Sequence, residues 1–184
     1  MKKRLARLLK EKSYLEGSFT LSSGLSSDYY FDCRQTALHP EGAWLIGHLL
    51  TDLLLPLGVG GVGGMTMGAD PLITAVSLAA RERGQVWPGL IVRKESKKHG
   101  TAGSLEGMGN FRSGQVVGML EDVVSTGGSV LKACKQVREA GLAAHDVCCV
   151  LDREQGGREA LRAAGCELHA IFTRDELLRL AAEA

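Results

Sequence analysis

The chain has 184 residues, 45% of them hydrophobic, and a formal net charge of +1, which suits one globular domain with a sizeable core. So even a charge balance argues against a global field that would hold nucleic acid or an anionic membrane, and any anion site must be local. The five cysteines are odd in number and include no C-x-x-C pair, which disfavours a disulfide framework or a zinc site and fits a reducing compartment; no apolar run reaches the ~20 residues that span a membrane.

In chain order, Met1 to Lys10 reads as an amphipathic helix with Leu5, Leu8 and Leu9 inward rather than as a signal peptide. Residues 17–36, rich in Ser, Gly and aromatics, read as irregular. Glu41 to Leu55 has helical spacing. A glycine-rich stretch, Gly58 to Gly68, follows, and then an alanine-rich helix from Ala69 to Glu82. Leu90 to Val92 is a short strand, and Lys94 to Gly114 is polar and aperiodic. From there strands (Gln115 to Leu120, Asp146 to Leu151, Glu167 to Phe172) alternate with helices (Gly128 to Ala140, Gly157 to Ala164, Asp175 to Ala182). That alternation predicts an α/β fold, a parallel sheet flanked by helices. Ligands of such sheets bind beyond the carboxyl ends of the strands.

The most informative stretch is V-V-G-M-L-E-D-V-V-S-T-G-G-S, Val116 to Ser129. An apolar strand leads into two acids, Glu121 and Asp122, then a loop of small residues and a helix start. Amides at a helix start can surround a phosphate. The adjacent carboxylates would repel that phosphate but suit the hydroxyls of an attached ribose. Acids followed by a phosphate cradle therefore read as a site for ribose 5-phosphate. There is no G-K-[ST] of a Walker loop, and a dinucleotide site places its acid about 20 residues after the glycines, not before them.

This stretch resembles the phosphoribosyl diphosphate motif of the type I phosphoribosyltransferases. The resemblance implies that Glu121 and Asp122 hold the ribose hydroxyls and that Val123, Val124, Ser125, Thr126, Gly127, Gly128 and Ser129 wrap the 5-phosphate. A second string is more specific. Arg93-Lys94-Glu95-Ser96-Lys97-Lys98-His99-Gly100 is similar to the catalytic loop of the orotate phosphoribosyltransferases. By that match Arg93, Lys94, Lys97 and His99 contact the diphosphate, with Lys97, His99 and Asp122 as the catalytic set. Lysines and a histidine suit the charge that develops on a departing diphosphate, and a long aperiodic segment, here residues 94–114, suits a lid.

Other segments extend the resemblance from about Leu15 to Phe172. Gly63 to Asp70 resembles the family's diphosphate-side loop. Arg153, in the turn Asp152 to Gly157, matches the arginine that binds orotate, for which a planar guanidinium is suited, and Ser125 also touches the base. Phe19 to Asp32 is similar to a hood over the base, with Tyr30 and Phe31 flanking its ring. Ser22 stands where many members carry a lysine, and Leu25 where they carry a basic residue.

The resemblance implies a type I phosphoribosyltransferase fold over residues 1–184: residues 1–36 as a helix plus a small N-terminal hood, residues 37–184 as the α/β core. The implied reaction joins orotate and phosphoribosyl diphosphate to give orotidine 5-monophosphate and diphosphate, in de novo pyrimidine biosynthesis. Magnesium is expected on the substrate, with no direct protein ligand. A cytoplasmic homodimer is expected, with the lid shared across its interface and no nucleic-acid or membrane partner. The alternatives are transfer to another base, or a phosphoribosyl diphosphate-sensing regulator of the same fold.

Overall fold

The computed structural model describes residues 1–20, 26–94 and 104–183. The chain opens with α1 (Lys2–Lys12), which buries Leu5, Ala6 and Leu9 and leaves its basic residues outward; Leu8 is only partly buried. The described parts of the segment expected to be irregular, residues 17–20 and 26–36, are largely regular. β1 (Tyr14–Thr20) and β2 (Ser26–Phe31) pair antiparallel, with an irregularity between Glu16 and Phe19. The end of β2 alternates in burial. Tyr29 and Phe31 are buried while Tyr30 is exposed, the period of a strand with one wet face. The short helix α2 (Arg34–Ala37) then leads into α3 (Pro40–Leu54), whose Leu45, Ile46, Leu50 and Leu54 are buried.

The glycine-rich stretch contains a strand, β3 (Gly61–Met65), followed by α4 (Asp70–Glu82). Next come β4 (Gly89–Val92), β5 (Leu105–Glu106), β6 (Val117–Val124) and α5 (Gly128–Glu139). The chain closes with β7 (Asp146–Asp152), α6 (Gly157–Ala163), β8 (Glu167–Thr173) and α7 (Arg174–Ala182). Among the described residues the core sheet runs β5-β4-β3-β6-β7-β8. Every pairing in it is parallel except β4 with β5. The α/β class and the flanking helices are as expected, and no described helix is long and apolar enough to cross a membrane.

Three details differ from the sequence reading. First, β3 lies between β4 and β6 although Gly61-Val62-Gly63-Gly64-Met65 looks like a loop. A β-carbon on Gly64 would stand 2.4 Å from the Ala69 side chain and 2.4 Å from the Leu120 carbonyl oxygen, so close packing, not a turn, demands glycine there. Second, β6 does not stop at Leu120. It continues to Val124, so Glu121 and Asp122 sit inside the strand's last turns of the pleat. Third, residues 94–114 are not one aperiodic loop. Leu105 and Glu106 pair with β4, and Met108–Asn110 make a 3-10 turn. The Arg93 amide donates to the Ser104 carbonyl at 2.8 Å.

Candidate active site

The carboxyl end of β6 is the centre of the site. Parallel pairing with β3 and β7 carries Glu121 and Asp122 to the sheet edge in one rigid strand. Glu121 is 7% exposed. Burial pushes its carboxyl up to about 8, helped by the charge of Asp122, and burial raises Asp122 as well. Removal from water penalises each charge, and adjacent carboxylates penalise one another. Against this, the Val123 amide donates to Asp122 Oδ1 at 2.8 Å and the Asp122 amide reaches Glu121 Oε1 at 3.3 Å. Among the described residues Glu121 Oε2 is buried with no hydrogen-bond partner.

Beyond the strand the loop Ser125-Thr126-Gly127 turns into α5. Gly127 has φ of +79°, a left-handed position that favours glycine, and α5 begins with no side-chain cap. The first amides of α5 are therefore free of local side-chain acceptors. The loop is braced from below. A β-carbon on Gly157, the first residue of α6, would meet the Ser125 carbonyl oxygen at 2.6 Å. Nothing in the sequence marks Gly157 as part of the site, because its role is contact across two loops.

These residues border a cavity of about 720 Å³. Of the expected site residues, Glu121, Asp122, Val123 and Ser129 line it from the core, with Arg93 and Lys94 from the end of β4 and Tyr30 and Phe31 from the hood. Tyr30 packs on Phe19 with ring centroids 5.6 Å apart. Val124 is buried beneath the loop. Ser125, Thr126, Gly127 and Gly128 form the loop at the cavity's edge rather than its lining. Lys97 and His99 lie outside the described residues, as do Ser22 and Leu25. Arg93 donates to Glu106 Oε1 at 2.9 Å, so the edge strand β5 holds it.

Arg153 is placed by backbone first: its amide donates to the Val124 carbonyl at 2.8 Å, which ties its turn to the end of β6. Its guanidinium carbon lies 4.4 Å from the centre of the Tyr29 ring, and that of Arg174 lies 4.2 Å from it, within cation–π range. Arg174 is held by Asp28 and by the Tyr14 hydroxyl, at 2.8 and 3.0 Å. The hood is thus fastened to the core through Tyr29, the one of its three consecutive aromatics that the sequence reading passed over. Neighbouring Glu154 has φ of +55°, an uncommon conformation for a non-glycine residue, at the turn that presents Arg153.

The cavity also contains Arg34, which no motif includes, and Asp32, to which the hood motif gave no role of its own. Asp32 and Arg34 line it between hood and core, paired through Arg34 Nε to Oδ1 at 2.7 Å and Nη2 to Oδ2 at 3.1 Å. Thr66, Met67 and Gly68, from the expected diphosphate-side loop, line it as well. The Thr66–Met67 peptide is cis, and the Thr66 hydroxyl donates to Asp70 at 2.8 Å. Among the described residues no three His, Cys, Asp or Glu side chains cluster in a way that could hold a metal ion.

No family model matches the chain. Similar proteins are numerous. The chain is 44% identical to the orotate phosphoribosyltransferase of a Nostoc strain over 173 residues, which cover 94% of this chain and 83% of that one. The crystal structure of Mycobacterium tuberculosis orotate phosphoribosyltransferase with Fe(III) dicitrate superposes with a TM-score of 0.84 at 36% identity, covering 96% and 98% of the two chains. The structure of the same enzyme in complex with 5-phospho-alpha-D-ribosyl 1-diphosphate superposes with a TM-score of 0.80 at 34% identity, covering 96% and 98%.

Proposed function

Because the chain belongs to the orotate phosphoribosyltransferase family, we propose that its sheet-edge cavity transfers ribose 5-phosphate from phosphoribosyl diphosphate to orotate, yielding orotidine 5-monophosphate and diphosphate for pyrimidine biosynthesis. The observation that carries this reading is the continuity of β6 through Glu121 and Asp122 into the Ser125–Ser129 loop. Acceptors for hydroxyls followed by a phosphate cradle suit the two ends of one ribose.

In this reading the stretch from Val123 to Ser129 wraps the 5-phosphate, with the amides from Ser125 onward facing it, and the acid pair holds the ribose hydroxyls. Arg153 and Ser125 take the orotate, with Tyr30 and Phe31 beside its ring. Arg93, Lys94, Lys97 and His99 neutralise the diphosphate. The anomeric carbon gains cationic character as the bond to diphosphate breaks, and the reading assigns Asp122 to stabilise that charge. Orotate arrives as an anion, so no strong general base is needed.

Magnesium fits this site as a substrate-borne ion. The acid pair offers hard oxygen donors and one buried carboxylate oxygen without a partner among the described residues, but too few groups for a protein cage. Carried on the substrate, it would supply charge neutralisation at the leaving group. The five cysteines, all unpaired and buried, fit a reducing cytoplasm. We place the working unit as a homodimer in which the loop bearing Lys97 and His99 serves the neighbouring cavity.

The test is release of diphosphate from phosphoribosyl diphosphate, measured with orotate, uracil and a purine base in turn. Release that depends on orotate is the expected result. Release with another base alone, or with none, would replace this reading by one of the two alternatives.

A further inference from the structure

Arg34 opens α2, directly after the hood strands, and lines the cavity together with Asp122 and Gly68. Among the described residues it is the cation that the hood side contributes; the other lining cations, Arg93 and Lys94, come from the end of β4. Arg93 is already engaged by Glu106. A polyanion between these walls would be neutralised from one side only, unless Arg34 turns to it.

The Arg34 side chain is free to do so. It is 43% exposed, and its hydrogen bonds to Asp32 use Nε and Nη2, leaving Nη1 without a hydrogen bond among the described residues. Nor does Asp32 need the guanidinium to keep its place. It also accepts from the Arg34 amide at 3.2 Å and from Gln35 Nε2 at 3.3 Å, so the start of α2 stays anchored when the side chain leaves. A partly exposed ion pair of this kind contributes little to stability, so exchanging one anion for another is cheap.

We propose that Arg34 is a further substrate-contacting residue, which exchanges Asp32 for the diphosphate of phosphoribosyl diphosphate. This rests on the phosphoribosyl-transfer reading of the site. The 5-phosphate has its own cradle in the Ser125–Ser129 loop, whereas Arg34 lines the cavity with Asp122, partly offsetting the rise that burial gives its carboxyl, and so, in that reading, stands beside the ribose carbon that carries the diphosphate. A guanidinium suits this anion because its N–H groups meet phosphate oxygens in pairs.

The experiment compares Arg34→Gln, Arg34→Lys and Asp32→Asn. Binding of magnesium diphosphate is measured by calorimetry, and the Michaelis constants of both substrates are measured by turnover. Arg34→Gln should weaken diphosphate binding and raise the Michaelis constant of phosphoribosyl diphosphate, each by about tenfold or more, the loss expected of a charge-assisted hydrogen bond. The constant for orotate should not follow, Arg34→Lys should recover part of the loss, and Asp32→Asn should leave diphosphate binding as tight or tighter. The proposal is overturned if Asp32→Asn reproduces the Arg34→Gln defect, since the pair would then be structural. It is equally overturned if orotate alone is affected or if diphosphate binding is unchanged. Calorimetry does not depend on the acceptor base, so a wild-type chain that binds diphosphate but ignores orotate would refute the orotate reading and leave Arg34 still under test.

Discussion

A β-carbon on Gly68 would stand 2.9 Å from Oδ1 of Asp122 and 3.0 Å from its carboxyl carbon. The loop after β3 and the acid pair of β6 are therefore packed to backbone contact, and Asp122 is aimed by that contact. Gly68→Ala should displace the carboxylate without opening a core cavity. A misplacement of this order costs up to roughly 100-fold in rate, so kcat/KM for phosphoribosyl diphosphate should fall by about tenfold or more while the melting temperature stays close to wild type. Kinetics at wild-type level in a folded Gly68→Ala protein would show that Asp122 needs no such aim.

Stability should fall as pH rises across the range in which Glu121 titrates. Its carboxyl is pushed up to about 8 from an ordinary 4.5, so between those values the folded chain holds a proton that the unfolded chain has released. The slope is then negative, at most about 1.4 kcal/mol per pH unit for one proton, and the stabilising contribution is fully present only below pH 4.5. Glu121→Gln should flatten this decline. Urea unfolding of both proteins across the range would read it, and parallel curves would refute the shift. Phosphoribosyl diphosphate binding should also release a proton if the acid pair must charge to hold the ribose and its magnesium.

Arg153→Ala should raise the Michaelis constant for orotate and leave that for phosphoribosyl diphosphate nearly unchanged. Losing a charge-assisted pair costs roughly 1.5–3 kcal/mol, about ten- to a hundred-fold. Because the Arg153 guanidinium also lies over Tyr29, Arg153→Lys should not rescue fully, a lysine lacking the planar fork. Equal effects on both substrates would move Arg153 out of the base site.

Mixing inactive Lys97→Ala subunits with inactive Asp122→Asn subunits tests whether the loop is shared. In a hybrid dimer with exchanged loops, one site carries both defects and the other carries neither. Activity should then return, to at most about half of wild type per hybrid dimer. Confirmed subunit exchange without activity would assign the loop to its own subunit.

The sequence by itself determined the chemistry held in short strings. The acids and small residues from Glu121 to Ser129 are consecutive, so the strand-to-helix turn that presents them is local and legible. The alternating strands and helices after Gln115 were legible for the same reason, since each buries an apolar pattern of its own period. Only the tertiary structure decided where contacts between distant segments rule. β3 is a strand because Gly64 lies against Ala69 and Leu120, and no period within five residues records that pressure. Residues 104–114 belong partly to the sheet because Leu105 and Glu106 find β4, a pairing that two residues cannot announce. Tyr29, rather than Tyr30 or Phe31, fastens the hood because the pleat turns it toward Arg153 and Arg174, which lie more than a hundred residues away along the chain. Arg34 and Gly157 reach the site in the same way: each meets a neighbour that folding brings to it, and no single motif contains both partners.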